Sequence, residues 1–102
     1  MAVLGKLHEA GFEFIQYDRF ADFLGASKGD FVILLKPELA GWETFGEAGY
    51  RFPGGIGVLV EDGKGKKFVY HEKSVRADGQ LLADFEQFKL EIHRRLSALG
   101  PS

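Results

Sequence analysis

The chain has 102 residues, 45% of them apolar and ten of them Phe, with a formal charge of −2. That length excludes two ordinary domains but supplies one core, so residues 1–102 read as a single domain. The absence of cysteine excludes disulfides, thiol nucleophiles and thiolate metal sites, leaving any chemistry to oxygen and imidazole.

In chain order, Leu4 and Leu7 with Val3 and Ala10 outline a short helix that stops at Gly11, with Phe12 packing back across the stop. Lys6, His8 and Glu9 interrupt the first ten residues, so no stretch of signal-peptide or membrane length is present there. The expectation is a soluble cytoplasmic protein with no membrane partner. Residues 12–17 (FEFIQY) are rich in strand formers. Residues 18–25 (DRFADFLG) place Phe20, Phe23 and Leu24 at helical spacing behind Asp18 as a cap, which predicts a short crossing helix. Residues 31–35 (FVILL) are apolar without interruption, the pattern of an interior strand covered on both faces. Whether these strands pair in a parallel or antiparallel sense is open at this level.

Residues 36–55 hold five Gly and two Pro together with Trp42, Phe45, Tyr50 and Phe52. A structureless loop of that length is uncommon in a compact domain. Residues 49–52 are the expected edge strand within it, ended by Pro53. Residues 56–61 (IGVLVE) and 67–73 (KFVYHEK) predict a hairpin about Asp62, Gly63, Lys64, Gly65 and Lys66. Leu81, Phe85, Phe88, Ile92, Leu96 and Leu99 then recur at steps of three and four, which predicts a long helix capped by Asp78 and stopped by Gly100 and Pro101. His93, Arg94 and Arg95 complement its carbonyl end. Leu90 falls opposite that stripe, where it is exposed in a monomer. The expected fold class is α+β: a small mixed or antiparallel sheet of four to five strands packed against the long C-terminal helix and the short N-terminal one.

Composition adds two points. The chain contains no Asn and only one Thr, a depletion of thermolabile amides that fits a thermophile. Residues 1–50 carry four basic and eight acidic side chains, and residues 51–102 carry nine and seven. Lys64, Lys66, Lys67, Lys73 and Arg76 make residues 64–76 the locally cationic segment.

The first candidate site is the glycine-rich aromatic segment, where Trp42, Phe45 and Tyr50 could wall a pocket and Glu43, Glu47 and Arg51 supply polar contacts, with His71 converging on them. Large aromatics more often belong to the core. The second candidate is anion binding by Lys64, Lys66, Lys67, Lys73 and Arg76, with Phe68 or Tyr70 as stacking platforms. Lysines at a hairpin tip equally protect an edge against aggregation. No phosphate loop is encoded: the glycines of residues 53–57 lead into a strand and lack the required spacing. On strand alternation, Tyr70 and Glu72 point away from His71 and Lys73, so His71 and Glu72 do not pair. His8, His71 and His93 share no metal-ligand spacing, and Ser27, Ser74 and Ser97 lie in no nucleophile motif. No catalytic residue, metal or cofactor is expected.

These features favour a small non-catalytic binding or protein-interaction module working as a homodimer or with a protein partner. The alternatives are a nucleic-acid or anionic-ligand binder through residues 64–76 and a small hydrolase or lyase with its site around residues 41–55.

Overall fold

The structure, a computed structural model, describes residues 2–38 and 41–98, the side chains of residues 2, 3 and 98 excepted. Helix α1 (Ala2–Glu9) ends where the sequence places its stop. Gly11 takes φ +100°, and the Phe12 and Gly11 amides donate to the carbonyls of Leu7 and His8. This pair of reversed bonds satisfies two terminal carbonyls, and Leu7 and Phe12 are both fully buried beside it.

Seven strands follow in a meander, each antiparallel to the next: β1 (Glu13–Ile15), β2 (Leu24–Lys28), β3 (Phe31–Glu38), β4 (Gly41–Phe52), β5 (Gly55–Asp62), β6 (Gly65–Tyr70) and β7 (Lys73–Arg76). The sheet therefore exceeds the four to five strands expected. It curves as a half-barrel against helix α2 (Gly79–Ala98). No described helix is long and apolar enough to cross a membrane.

Three expectations give way to this arrangement. The crossing helix over residues 18–25 is a single 3-10 turn at Asp18–Phe20, after which the chain extends as β2. Extension is what Gly25 requires, since an added Cβ there would lie 2.9 Å from the Tyr17 ring. The segment read as loop with an edge strand is β4, an interior strand between β3 and β5. The second hairpin strand ends at Tyr70, because His71 adopts φ +55° and turns the chain into β7. The alternation argument for residues 70–73 fails with it. The hairpin turn between β5 and β6 is short, with Asp62 opposite Gly65 and the Asp62 carboxylate accepting from the Lys64 amide.

Period-two alternation sorts the side chains. On the first face Phe31, Ile33, Leu35, Ala48, Tyr50, Phe52 and Phe68 meet Phe85, Phe88 and Ile92 of α2, with Leu7 and Phe12 completing the core. The Phe31 ring centre lies 5.3 Å from that of Phe85 and 5.9 Å from that of Phe88, and Phe68 meets Phe85 edge-on at 4.9 Å. The helical stripe read from sequence is thus the seam that covers the sheet. Leu99, Gly100 and Pro101, and the side chain of Val3, lie outside the described residues. Asp78 does not cap α2; its carboxylate pairs with Arg76 at 3.0 Å. Leu90 is 62% exposed on the far side of the helix.

A polar tie joins helix to sheet. The Lys28 ammonium donates to both Glu91 oxygens at 3.0 Å and lies 5.3 Å from the Phe12 ring centre. Arg95 donates to the same carboxylate at 2.9 Å. These hydrogen bonds outweigh the burial that would raise the Glu91 pKa and hold it below the ordinary carboxylate value.

Candidate functional site

No helix covers the second face of the sheet. Val32 and Leu34 of β3 point there and are nonetheless buried, as the unbroken apolar run of that strand requires. Their cover is the link between β1 and β2, residues 16–23. The Gln16 side-chain amide donates to the carbonyls of Phe20, Ala21 and Phe23 at 3.4, 3.2 and 3.1 Å, folding the link into a compact arm. Tyr17 lies over Gly25, and Phe23 stacks on Phe45 of β4 with ring centres 4.4 Å apart.

The arm leaves part of the face open. A cavity of about 700 Å³ lies against it, walled by Ile15, Tyr17, Phe20, Leu34, Phe45, Ile56 and Val58, with Gln16, Asp18, Arg19 and Glu47 supplying polar groups. Gly54, Gly55 and Tyr70 close one side, where the Tyr70 hydroxyl donates to the Gly54 carbonyl at 3.0 Å. That volume lies within the range of small-molecule sites, and the walls have their predominantly apolar character. Phe45 and Val58 remain 43% and 57% exposed within it.

The walls come together through a defect in the β3–β4 ladder. Val32 pairs with Gly49 but Leu34 pairs with Phe45, so β4 spends two extra residues at Gly46–Ala48, where Gly46 takes φ +73°. An even insertion preserves the side-chain alternation while it bends the strand. Glu43, Phe45, Glu47 and Arg51 consequently share the second face, and Trp42, Thr44, Ala48, Tyr50 and Phe52 share the first.

The sequence-derived site residues are divided accordingly. Phe45 and Glu47 line the cavity. Glu43 lies further along β4, where with Glu38 it holds the Lys36 ammonium at 3.2 and 3.1 Å. Those two carboxylates raise the Lys36 pKa above its ordinary value, and Glu38 is lowered through its contacts with Glu43 and Lys36. Arg51 spans from Glu13, at 3.6 Å, to the buried Ser27 hydroxyl, at 3.4 Å. Trp42 and Tyr50 pack into the core of the first face. His71 stands in the β6–β7 turn against the Tyr70 ring. The set Glu43, Glu47, Tyr50, Arg51 and His71 therefore forms no common site. Ile15, Tyr17, Leu34 and Val58 were missed because they come from four separate segments, although the two-sided burial implied by FVILL required some cover of this kind.

Tyr17 and Trp42 carry buried polar side-chain atoms without a hydrogen-bond partner among the described residues. Burial raises the Tyr17 pKa, the Arg51 charge opposes it, and Tyr70 adds to it. The phenol thus stays protonated near neutrality, a donor rather than a nucleophile.

The basic segment makes a smaller feature. Lys64, Lys66, Lys67, Ser74 and Arg76 surround a recess of about 260 Å³ with Asp62, while Lys73 lies outside that set. Two of its cations are engaged, Lys67 with Asp62 at 3.5 Å and Arg76 with Asp78. The contacts at Asp62, chiefly the Lys64 backbone amide, hold its carboxyl below the ordinary value. Phe68 is wholly buried and Tyr70 stacks on Phe52, so neither ring is free as a stacking platform. Among the described residues no group of three His, Asp or Glu side chains is placed to hold a metal ion. No protein-family model matches the chain, and no match was found among curated proteins or solved structures.

Proposed function

We propose that the protein is a non-catalytic binding module whose working surface is the second face of the sheet, beside the arm of residues 16–23. One observation carries the reading: an apolar cavity of about 700 Å³ keeps Phe45 and Val58 half-exposed although α2 already completes the core on the other face. Covering those two side chains contributes about 2 kcal/mol at the usual coefficient for apolar area. No nucleophile paired with a base lines the cavity. The occupant in this reading is a protein partner or a second copy of the chain.

The test uses anilinonaphthalene sulfonate as an apolar probe, with amide chemical shifts as the readout. Probe binding should move the resonances of Ile15, Leu34, Phe45 and Val58 and be abolished by Val58→Glu, while Leu90→Glu leaves it intact. Absence of binding in the wild type, or equal loss in the Leu90 variant, removes this surface as the working one.

The basic recess supports a second reading, an anion site on the β5–β7 side. It requires salt-sensitive phosphate binding that disappears in a Lys64→Glu, Lys66→Glu double variant. The carboxylates of Asp62 and Asp78 beside its cations weigh against it.

A further inference from the structure

The half-barrel is one meander by connectivity but two sheets by hydrogen bonding. β4 pairs with β5 only at Tyr50–Gly57, Arg51–Ile56 and Phe52–Gly55. Beyond these three pairs residues 41–49 of β4 continue with β3 alone, and residues 58–62 of β5 continue with β6 alone. Two interior strands therefore separate and present unpaired backbone edges to one another. Along β5 the phase of the ladder identifies the free groups. Two-residue turns place Phe52 opposite Gly55 and Asp62 opposite Gly65. Such turns close on hydrogen-bonded pairs, so odd-numbered residues of β5 direct N–H and C=O toward β4 and even-numbered ones toward β6. The groups of Leu59 and Glu61 facing β4 thus lack a ladder partner.

An unpaired edge of this kind takes an extended strand, with main-chain hydrogen bonds giving affinity and alternate side chains entering pockets. The pocket exists: Phe45 and Val58, which flank the split, line the cavity, and Val60 is 36% exposed next to them. Charge selects among strands. Asp18, Glu38, Glu43, Glu47 and Glu61 surround the opening, against Arg19, Lys36 and Lys66, the last opposite Glu61 in the ladder. Trp42, whose indole N–H is one of the two unpartnered buried groups, belongs to the free stretch of β4.

Building on the binding-module reading, we infer that the split between β4 and β5 is a strand-addition site for an extended segment of a partner protein, about five residues long, alternating apolar and basic side chains. Apolar side chains of that segment enter the cavity beside Phe45 and Val58, and its basic ones meet Glu47 and Glu61.

The experiment uses three synthetic hexapeptides, amidated and acetylated: alternating Lys-Val, alternating Glu-Val, and alternating Lys-Val with every second amide N-methylated to remove its donors. Amide hydrogen exchange is read on the full chain. The Lys-Val peptide should slow exchange at Leu59 and Glu61 by about tenfold or more, and a Glu47→Lys, Glu61→Lys double variant should weaken its binding by about tenfold. Val58 and Val60, already bonded to β6, should not change. Equal binding of the N-methylated peptide overturns strand addition, and equal binding of the Glu-Val peptide overturns the charge selection. Protection of Leu59 and Glu61 that grows with protein concentration alone assigns the split to a second copy and overturns the peptide. In each of these cases retained binding of anilinonaphthalene sulfonate leaves the broader binding-surface reading standing, so the two failures are distinguishable.

Discussion

Gly57→Ala tests how the start of β5 is held. A Cβ on Gly57 would lie 2.2 Å from Cε2 and 2.6 Å from Cδ2 of the Phe52 ring, so the ring must retreat from 2.2 Å to the 3.4 Å of an ordinary contact. Overpacking of that order costs about 1–3 kcal/mol, of which roughly 0.4–1 kcal/mol returns through the lower entropy of the unfolded chain. The net loss should be about 1–2 kcal/mol, or roughly 4–8 °C in Tm for each kcal/mol. Because the obstacle is a side chain, Phe52→Leu should relieve it, and in that background Gly57→Ala should cost under about 0.5 kcal/mol. Gly49→Ala supplies the contrast. Its Cβ would stand 2.3 Å from the Gly57 carbonyl oxygen and 2.7 Å from the Ile56 side chain, and a backbone group in the β4–β5 ladder does not yield to a change at Phe52. Urea unfolding of the single and double variants reads the coupling directly. A Gly57→Ala protein as stable as the wild type, or one equally destabilised with Phe52 and with Leu, refutes the packing of this face.

Two further variants probe electrostatics and backbone. Glu91 has a lowered pKa in the folded state, so its contribution is present above the unfolded value of 4.5 and disappears as pH falls through the lower folded one. Glu91→Gln should therefore lose about 0.5–1 kcal/mol at neutral pH, after allowance for solvent screening, and match the wild type in acid. A difference that persists unchanged at low pH contradicts the ion-pair account. His71 holds a left-handed conformation that L-residues adopt at a cost of about 1 kcal/mol, so His71→Gly should raise the urea midpoint despite losing the contact with Tyr70. A lower midpoint shows that this contact outweighs the strain.

Several elements were legible because a single requirement controlled each. The stripe from Leu81 has one face to bury, Gly11 has one conformation to supply, and FVILL has no polar face to offer water. β4 was obscured by counting its glycines. Residues 42–52 alternate Trp, Thr, Ala, Tyr and Phe with Glu, Phe, Glu, Gly and Arg once Gly46 is allowed as an irregularity, and that is the period of a strand. β2 was obscured differently: the helical spacing of Phe20, Phe23 and Leu24 arises because Phe23 serves the second face and Leu24 the first. The β6–β7 turn carries no glycine, so His71 gave no turn signal. The cavity had no local signature, since its walls converge only after six hairpin reversals.

The glycines that shape the core also account for the opening on the other side. Gly55 and Gly57 lack a Cβ where the rings of Tyr70 and Phe52 rest, with added Cβ atoms falling 2.3 and 2.2 Å from them. Those rings stack at 6.0 Å, and Tyr50 joins them at 5.0 Å from Phe52. β5 is drawn against β4 at these two positions and nowhere further along. Beyond them β4 carries its two-residue insertion toward β3, while Val58–Val60 follow β6, so the strands part. A sheet continuous across this point would have placed Phe45 beside Val60 and left little room above Leu34. Core packing and binding surface are thus consequences of one local choice, and a variant that restores β4–β5 pairing beyond Gly57 should close the cavity without changing the seam beneath α2.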